Sequence, residues 1–178
     1  AQFTPKGDWV LAGRLGGYDD LAYYRRCTHL IGDTRGLKTW MIEQGWDEKR
    51  VHYLPNFATD LAHTPAIWPA GLPEGAPFLL ALGRLHTNKA FDVLIRSLRH
   101  VPRIPLVIAG EGPERAALEE LARREGVHER VLMPGWAVDP GGLIRACTAL
   151  VCPSRPEPLG NVVIAGFSAT RPDRTRVL

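Results

Sequence analysis

Arg84 and Lys89 stand in one short stretch directly after an apolar run, Phe78 to Leu82, and together they carry the donors to clamp a diphosphate. Arginine offers a planar fork and lysine a point charge, a pairing that matters most where negative charge grows on a departing phosphate. Two further stretches follow apolar runs in the same way. Gly110-Glu111-Gly112-Pro113 is a turn into a helix whose glycines let a ligand approach backbone amides, although an ordinary strand-to-helix turn has the same composition. In Pro153-Ser154-Arg155-Pro156-Glu157-Pro158-Leu159-Gly160-Asn161, three prolines stiffen a loop and hold Glu157 ahead of a helix start. The free N–H groups there, around Gly160 to Val162, can receive a phosphate or a sugar hydroxyl. A carboxylate near a helix start is also a common electrostatic preference.

Other chemistries have less support. No G-x-G-x-x-G dinucleotide fingerprint, G-x-x-x-x-G-K-[ST] phosphate loop or G-x-S-x-G elbow occurs. His86 borders the Arg84 stretch, whereas His29, His52, His63, His100 and His128 are dispersed without metal-ligand spacing, so no metal is expected. Cys27, Cys147 and Cys152 match neither a zinc site nor a redox pair and read as buried thiols of a reducing compartment.

The elements that would position these residues follow from polarity. Leu21 to Cys27 reads as a short helix, His29 to Ile31 as a strand, and Thr34 as the cap of a helix with Leu37, Trp40 and Met41 on one face and Gly45 at its end. Val51 to Leu54 is a further strand. Between residues 55 and 77, prolines at 55, 65, 69, 73 and 77 alternate with Gly71 and Gly75, which suits an extended connector rather than a packed element. Strands are then expected at Phe78–Leu82, Leu106–Ala109, Val131–Met133 and Ala149–Cys152. The intervening helices are marked by Phe91, Leu94, Ile95 and Leu98, by Leu118, Leu121 and Ala122, and by a segment weakened at Gly141-Gly142; a last one covers Gly160 to Ser168. The expected fold class is α/β, a Rossmann-like parallel sheet with helices on both faces. Ligands of such sheets bind beyond the carboxyl ends of the strands, where the three chemical stretches fall.

At 178 residues, 45% hydrophobic and 23% charged, the chain is long enough for one globular domain with a real core, or for one domain plus a piece of another. The net charge of +3 is spread along it, without the basic stripe and framework of a nucleic-acid binder. No apolar run is long enough for a transmembrane segment, and Ala1 to Trp9 lacks a signal-peptide pattern, so a cytoplasmic setting is expected.

Leu82-Gly83-Arg84-Leu85 with Lys89, then Ile108 to Pro113, then Pro153-Ser154 through Glu157-Pro158-Leu159-Gly160-Asn161, taken in that order and spacing, resemble the donor lobe of a large retaining glycosyltransferase family. It is the GT-B family that includes glycogen, sucrose-phosphate and lipopolysaccharide core enzymes. Gly45-Trp46 and Val51 to Phe57 look like the end of its acceptor lobe and the crossover. The resemblance implies residues 1–54 as an acceptor-side remnant, 55–77 as the interlobe connector and 78–178 as a truncated donor lobe. It implies a nucleoside-diphosphate sugar as substrate with no cofactor, transfer to a sugar or glycolipid acceptor, and room for a peripheral membrane or protein partner. Arg84 and Lys89 match the diphosphate-binding pair, joined by Gly160 and Asn161. Glu157 matches the catalytic-side glutamate that contacts the donor sugar, with Leu159 and Gly160, and the nucleoside falls to Gly110, Gly112, Met133 and Pro134.

Two departures are visible. The second glutamate of the family's pair, which grips the ribose, is Ala165 here, and losing a charged acceptor of that kind typically costs about 1.5–3 kcal/mol. Arg171 to Arg176 stand where the family continues into an apolar strand, so closing elements beyond residue 172 are expected to be missing, as is the beginning of the acceptor lobe; Gly13 to Gly17 is not framed as a replacement. Apolar surface left bare by such absences predicts poor solubility or dependence on a partner. A non-catalytic nucleotide or nucleotide-sugar binding module and an inactive remnant therefore stay open beside the enzyme.

Overall fold

The structure, a computed structural model, describes residues 7–101, 103–155 and 159–169 and the backbone of 176–177. The chain forms two compact units, one of Ala1–Phe57 with Glu157–Gly160 and one of Ala58–Pro156 with Asn161–Leu178.

The first unit is built on a parallel three-stranded sheet, β1 (Ala12–Leu15), β2 (His29–Gly32) and β3 (Val51–Tyr53), in that spatial order. Helix α1 (Arg35–Glu43) crosses from β2 to β3. Thr34 caps it, its hydroxyl accepting from the Leu37 N–H at 3.0 Å, and Gly45 ends it at φ +95°. Leu15, Leu30, Leu37, Met41 and Val51 form the core. Two expectations change here. The helix over Leu21 to Cys27 is a single 3₁₀ turn, Leu21–Tyr24, capped by Asp20. Strand β1 occupies the stretch that polarity left unframed. It buries Gly13 and Leu15 while exposing Ala12 and Arg14, and Gly13 must be small because a Cβ there would lie 2.6 Å from the Tyr24 ring and 2.9 Å from Cys27 Sγ. Buried glycine carries no hydrophobic signal, so the alternation was hidden.

The second unit is a parallel sheet in the order β6-β5-β4-β7-β8, wound on both faces. Its strands are β4 (Leu79–Leu82), β5 (Leu106–Ala109), β6 (Val131–Gly135), β7 (Ala149–Leu150) and β8 (Arg176–Val177). Alternation along β4 and β5 sorts the core into two layers. Ala81, Leu106 and Ile108 meet α2 (Phe91–Ser97) and α3 (Arg115–Arg124) through Phe91, Leu94, Ile95, Leu118 and Leu121. Leu80, Leu82, Val107 and Ala109 meet α4 (Pro140–Ala146) through Leu143 and Ile144, with α5 (Asn161–Ala169) on the same side through Ala169. Both layers are closed by strands apolar on both faces, as expected for a doubly wound sheet.

Residues 55–77 contain neither helix nor strand, yet they are packed rather than merely extended. Leu61, Trp68 and Leu72 join the α4 side of the core, the Trp68 indole donates to the Ala76 carbonyl at 3.1 Å, and the Ile67 N–H donates to the Gly142 carbonyl at 3.0 Å. This explains the glycine pair that weakened the α4 signal. A Cβ on Gly141 would stand 2.9 Å from Leu61 and one on Gly142 2.7 Å from Ile67, so the helix is bare where the proline-rich segment lies against it. Helix α4 is started instead by Asp139, which accepts from the Gly142 N–H at 3.0 Å, and by Pro140 in the first turn.

Beyond residue 172, two residues extend the sheet. Strand β8 pairs in parallel with β7, Ala149 opposite Arg176 and Leu150 opposite Val177. A strand of two residues is too short for hydrophobic patterning to reveal.

Candidate functional site

The chain leaves β4 to build β5 and β6 on one side of it, then returns to place β7 on the other. That reversal makes the carboxyl end of β4 a topological switch point, the usual ligand crevice of an open parallel sheet. Arg84 and Lys89 occupy the loop that follows β4. Gly83 adopts φ +148°, a conformation glycine tolerates, and the stem of Lys89 lies over it, Cε and Cδ at 3.5 and 3.6 Å from the position a Cβ would take. Arg84 is exposed, Lys89 half-buried, and Leu85 between them is buried in the α2/α3 core. Lys89 closes a 3₁₀ turn, Thr87–Lys89, capped by the His86 ring accepting from the Asn88 N–H, and Ala90 leaves the turn at φ +52°.

The neighbouring loop, after β5, is zipped to this one by backbone. The Gly83 N–H donates to the Ala109 carbonyl at 3.2 Å, the Leu85 N–H to the Glu111 carbonyl at 2.9 Å, and the Glu114 N–H to the Leu85 carbonyl at 3.1 Å. Gly110 and Gly112 make that approach possible. Added Cβ atoms would stand 1.9 Å from the Gly83 oxygen and 2.3 Å from the Leu85 oxygen. Both glycines therefore direct their missing side chain at the Arg84 loop.

Arg115, which sequence reasoning did not single out, joins this loop to β6. Its guanidinium forms a fork onto Glu111 at 3.0 and 2.7 Å and also reaches Glu119 at 3.2 Å and the Met133 carbonyl at 3.1 Å. The i, i+4 spacing of Glu111, Arg115 and Glu119, the last two on α3, was a legible signal. Met133 turns its side chain to the α2/α3 core and its carbonyl to Arg115, so Pro134 is the exposed member of the pair assigned to the nucleoside. The Arg115 hydrogen bonds hold the Glu111 carboxyl below its usual value, against a smaller opposing effect of burial, and hold the guanidinium above its own. A depressed carboxylate stabilises the fold above its unfolded value and loses that contribution as pH falls through the folded one. The thermal midpoint of Glu111→Gln should therefore lie below wild type at about pH 6, and the gap should close towards about pH 3. A gap unchanged by acid would show that the pair contributes nothing through its charge.

The loop after β7 brings Pro153, Ser154 and Arg155 to the other side of β4, where Arg155 bonds to the Thr87–Lys89 turn. Leu159 and Gly160 are half-buried and precede α5, and Asn161, exposed, opens it. Glu157 lies outside the described residues. Ala165 sits in the middle of α5 and packs against the α4-side core. None of the three cysteines is in a disulfide; Cys27 and Cys147 are buried as expected, whereas Cys152 is half-buried. Burial pushes the Cys147 thiol up to about 12, and its Sγ donates to the Ile144 carbonyl at 3.2 Å. Among the described residues no three His, Cys, Asp or Glu side chains gather as a metal site, and no helix is long and apolar enough to cross a membrane.

Residues 76–172 match the family described as Glycosyl transferases group 1, more than half of the chain. The chain belongs to that family. Similar curated proteins include the lipopolysaccharide core biosynthesis glycosyltransferases LpsD and LpsE of Rhizobium meliloti (strain 1021), 35% and 32% identical over 89% of this chain and 47% of each relative. The chain thus spans about half the length of these family members. The fold agrees: the crystal structure of Anabaena HepE in complex with UDP and glucose superposes with a TM-score of 0.74 at 20% identity, covering 89% of this chain and 50% of the other. The two Rossmann-like sheets are those of the GT-B architecture that the family adopts, present here in part.

Proposed function

We propose that this chain carries the donor-binding part of a retaining glycosyltransferase, which moves a sugar from a nucleoside-diphosphate sugar to a hydroxyl of a sugar or glycolipid acceptor. The observation that carries this reading is the cationic Gly83–Lys89 loop at the switch point of a family-typical sheet. The donor's bond between the anomeric carbon and the diphosphate oxygen breaks, the acceptor hydroxyl oxygen forms the new bond while its proton passes to the departing diphosphate, and the charge growing on that diphosphate faces Arg84, Lys89 and the amides at the start of α5. Glu157, with Leu159 and Gly160, orients the donor sugar; Gly110, Gly112, Met133 and Pro134 border the nucleoside. Residues 1–54 serve as the acceptor-side part, 55–77 as the connector and 78–178 as the donor lobe. Relatives that build lipopolysaccharide core, and a structural neighbour holding UDP and glucose, support this choice of substrate class. The reaction is assigned to the cytoplasm.

A second reading, a non-catalytic nucleotide-sugar binding module, is favoured by Ala165, whose methyl group cannot accept the ribose hydrogen bonds that the resemblance assigns to a glutamate there. Calorimetric titration with UDP, GDP, ADP and their sugars tests the part common to both. Binding at about millimolar or tighter is expected for one base. A folded protein that gives no heat with any of them would sink both readings. Release of nucleoside diphosphate from the bound sugar donor in the presence of glycan acceptors then separates transferase from module.

A further inference from the structure

Arg155 is placed where two strand ends with no sequential connection meet. Its backbone N–H donates to the Asn88 carbonyl at 2.8 Å, its Nη1 donates to the Thr87 carbonyl, and its Nη2 contacts both carboxylate oxygens of Asp92 at 3.3 Å. Asp92 lies in the first turn of α2 and is held from the other side by Arg96 at 3.1 Å. One guanidinium thus grips the 3₁₀ turn that ends in Lys89 and the helix that follows it. The turn is also held by its own backbone, the Lys89 N–H donating to the His86 carbonyl at 2.9 Å and the Ala90 N–H to the Thr87 carbonyl at 3.2 Å. Its cap is a histidine ring at 3.4 Å, and it exits through Ala90 in a left-handed conformation that non-glycine residues rarely adopt. Arg155 gives the Thr87 carbonyl a second donor beside the Ala90 N–H, and its backbone N–H gives the Asn88 carbonyl a donor from another strand end.

We infer that Arg155 is a positioning residue: it locks the Thr87–Lys89 turn so that the Lys89 stem stays over Gly83 and the ammonium is preset for the diphosphate. The same residue couples the β7 loop, which leads towards Leu159 and Asn161, to the phosphate-clamping loop of β4. The consequence for binding rests on the donor reading above, whereas the mechanical part does not.

Two measurements on the whole 178-residue chain keep those parts distinct. Amide hydrogen exchange without ligand reads the lock itself: in Arg155→Ala, Lys89 and Ala90 should exchange at least about tenfold faster while the core of α3 is unchanged. Unchanged exchange at both amides overturns the inference whatever the chain binds. Titration with the nucleoside diphosphate and its parent nucleoside reads the effect on Lys89. Arg155→Ala and Lys89→Ala should each weaken the diphosphate about tenfold and leave the nucleoside within about twofold, and the double variant should lose little more than either single one. Arg155→Lys, which keeps one donor but not the fork, should recover only part of the loss. Multiplying losses, or an equal loss for the nucleoside, overturn the positioning role. If wild type binds no nucleotide while exchange responds as expected, the donor reading fails and the lock stands.

Discussion

Gly110→Ala lowers the thermal unfolding midpoint by about 6–12 °C, the largest stability change expected of any single methyl group added to this chain. The buried Gly110 leaves β5 where two loops are joined backbone to backbone, and its new Cβ would stand 1.9 Å from the Gly83 oxygen and 2.9 Å from the Gly83 carbonyl carbon. No side-chain rotation relieves a clash with main chain. The loops must separate, which breaks the Gly83 and Leu85 hydrogen bonds and lifts the ends of β4 and β5 off their shared core. Overpacking typically costs 1–3 kcal/mol, and a fixed carbonyl puts this site at the upper end, about 3 kcal/mol. Gly126→Ala is the control. There φ is +67° and no atom lies within 4 Å of the added carbon, so only backbone strain of about 1–2 kcal/mol applies. Circular dichroism melts and urea titrations of both variants provide the comparison. A Gly110→Ala protein that melts with wild type, or loses no more than Gly126→Ala, would refute the account of this turn.

The double variant Arg84→Ala, Lys89→Ala is expected to lose about a hundredfold in affinity for the nucleoside diphosphate and almost none for the nucleoside. Charge-assisted hydrogen bonds contribute about 1.5–3 kcal/mol each, and about 3 kcal/mol for the pair corresponds to that factor. The binding advantage of diphosphate over nucleoside should also fall less steeply with salt in the variant, since exposed charges on protein and ligand are screened together. Stability should change little, because Arg84 is exposed and Lys89 only half-buried. Calorimetry at two salt concentrations reads all of this. Equal losses for diphosphate and nucleoside would mean that the loop acts by shape rather than charge, and the clamp would have to be sought elsewhere.

Both predictions concern one loop, and the sequence reached its two sides unequally. The apolar run, Arg84 and Lys89 marked a strand end with cations after it, and the structure places them there. The neighbouring glycines read equally well as a ligand approach or a plain turn. The distances show a third role, close packing of one loop on another. Arg115 could have been noticed from its spacing to Glu111 and Glu119. Arg155 could not, because its partners Thr87, Asn88 and Asp92 are remote along the chain and become neighbours only when β7 is laid beside β4.

Elements with a strong local signature were legible. Thr34 and Gly45 bounded α1, and Phe91, Leu94 and Ile95 displayed the buried stripe of α2. Leu106 to Ala109 read as a strand, and all four residues are buried in it. Periodicity needs side chains that differ in polarity, and it fails where burial is achieved by having no side chain. Gly13 in β1 and Gly141-Gly142 in α4 are buried for that reason, and the proline-rich segment packs because those glycines leave room.

Local composition and period were therefore sufficient for the α/β class, the order of most elements, and the cationic loop after β4, since each depends on residues close together along the chain. Which loops share a wall, why Gly110 and Gly112 must lack side chains, and what holds the Lys89 turn were decided by tertiary structure. The order β6-β5-β4-β7 makes neighbours of segments far apart in sequence, and steric fit between backbones leaves no periodic trace.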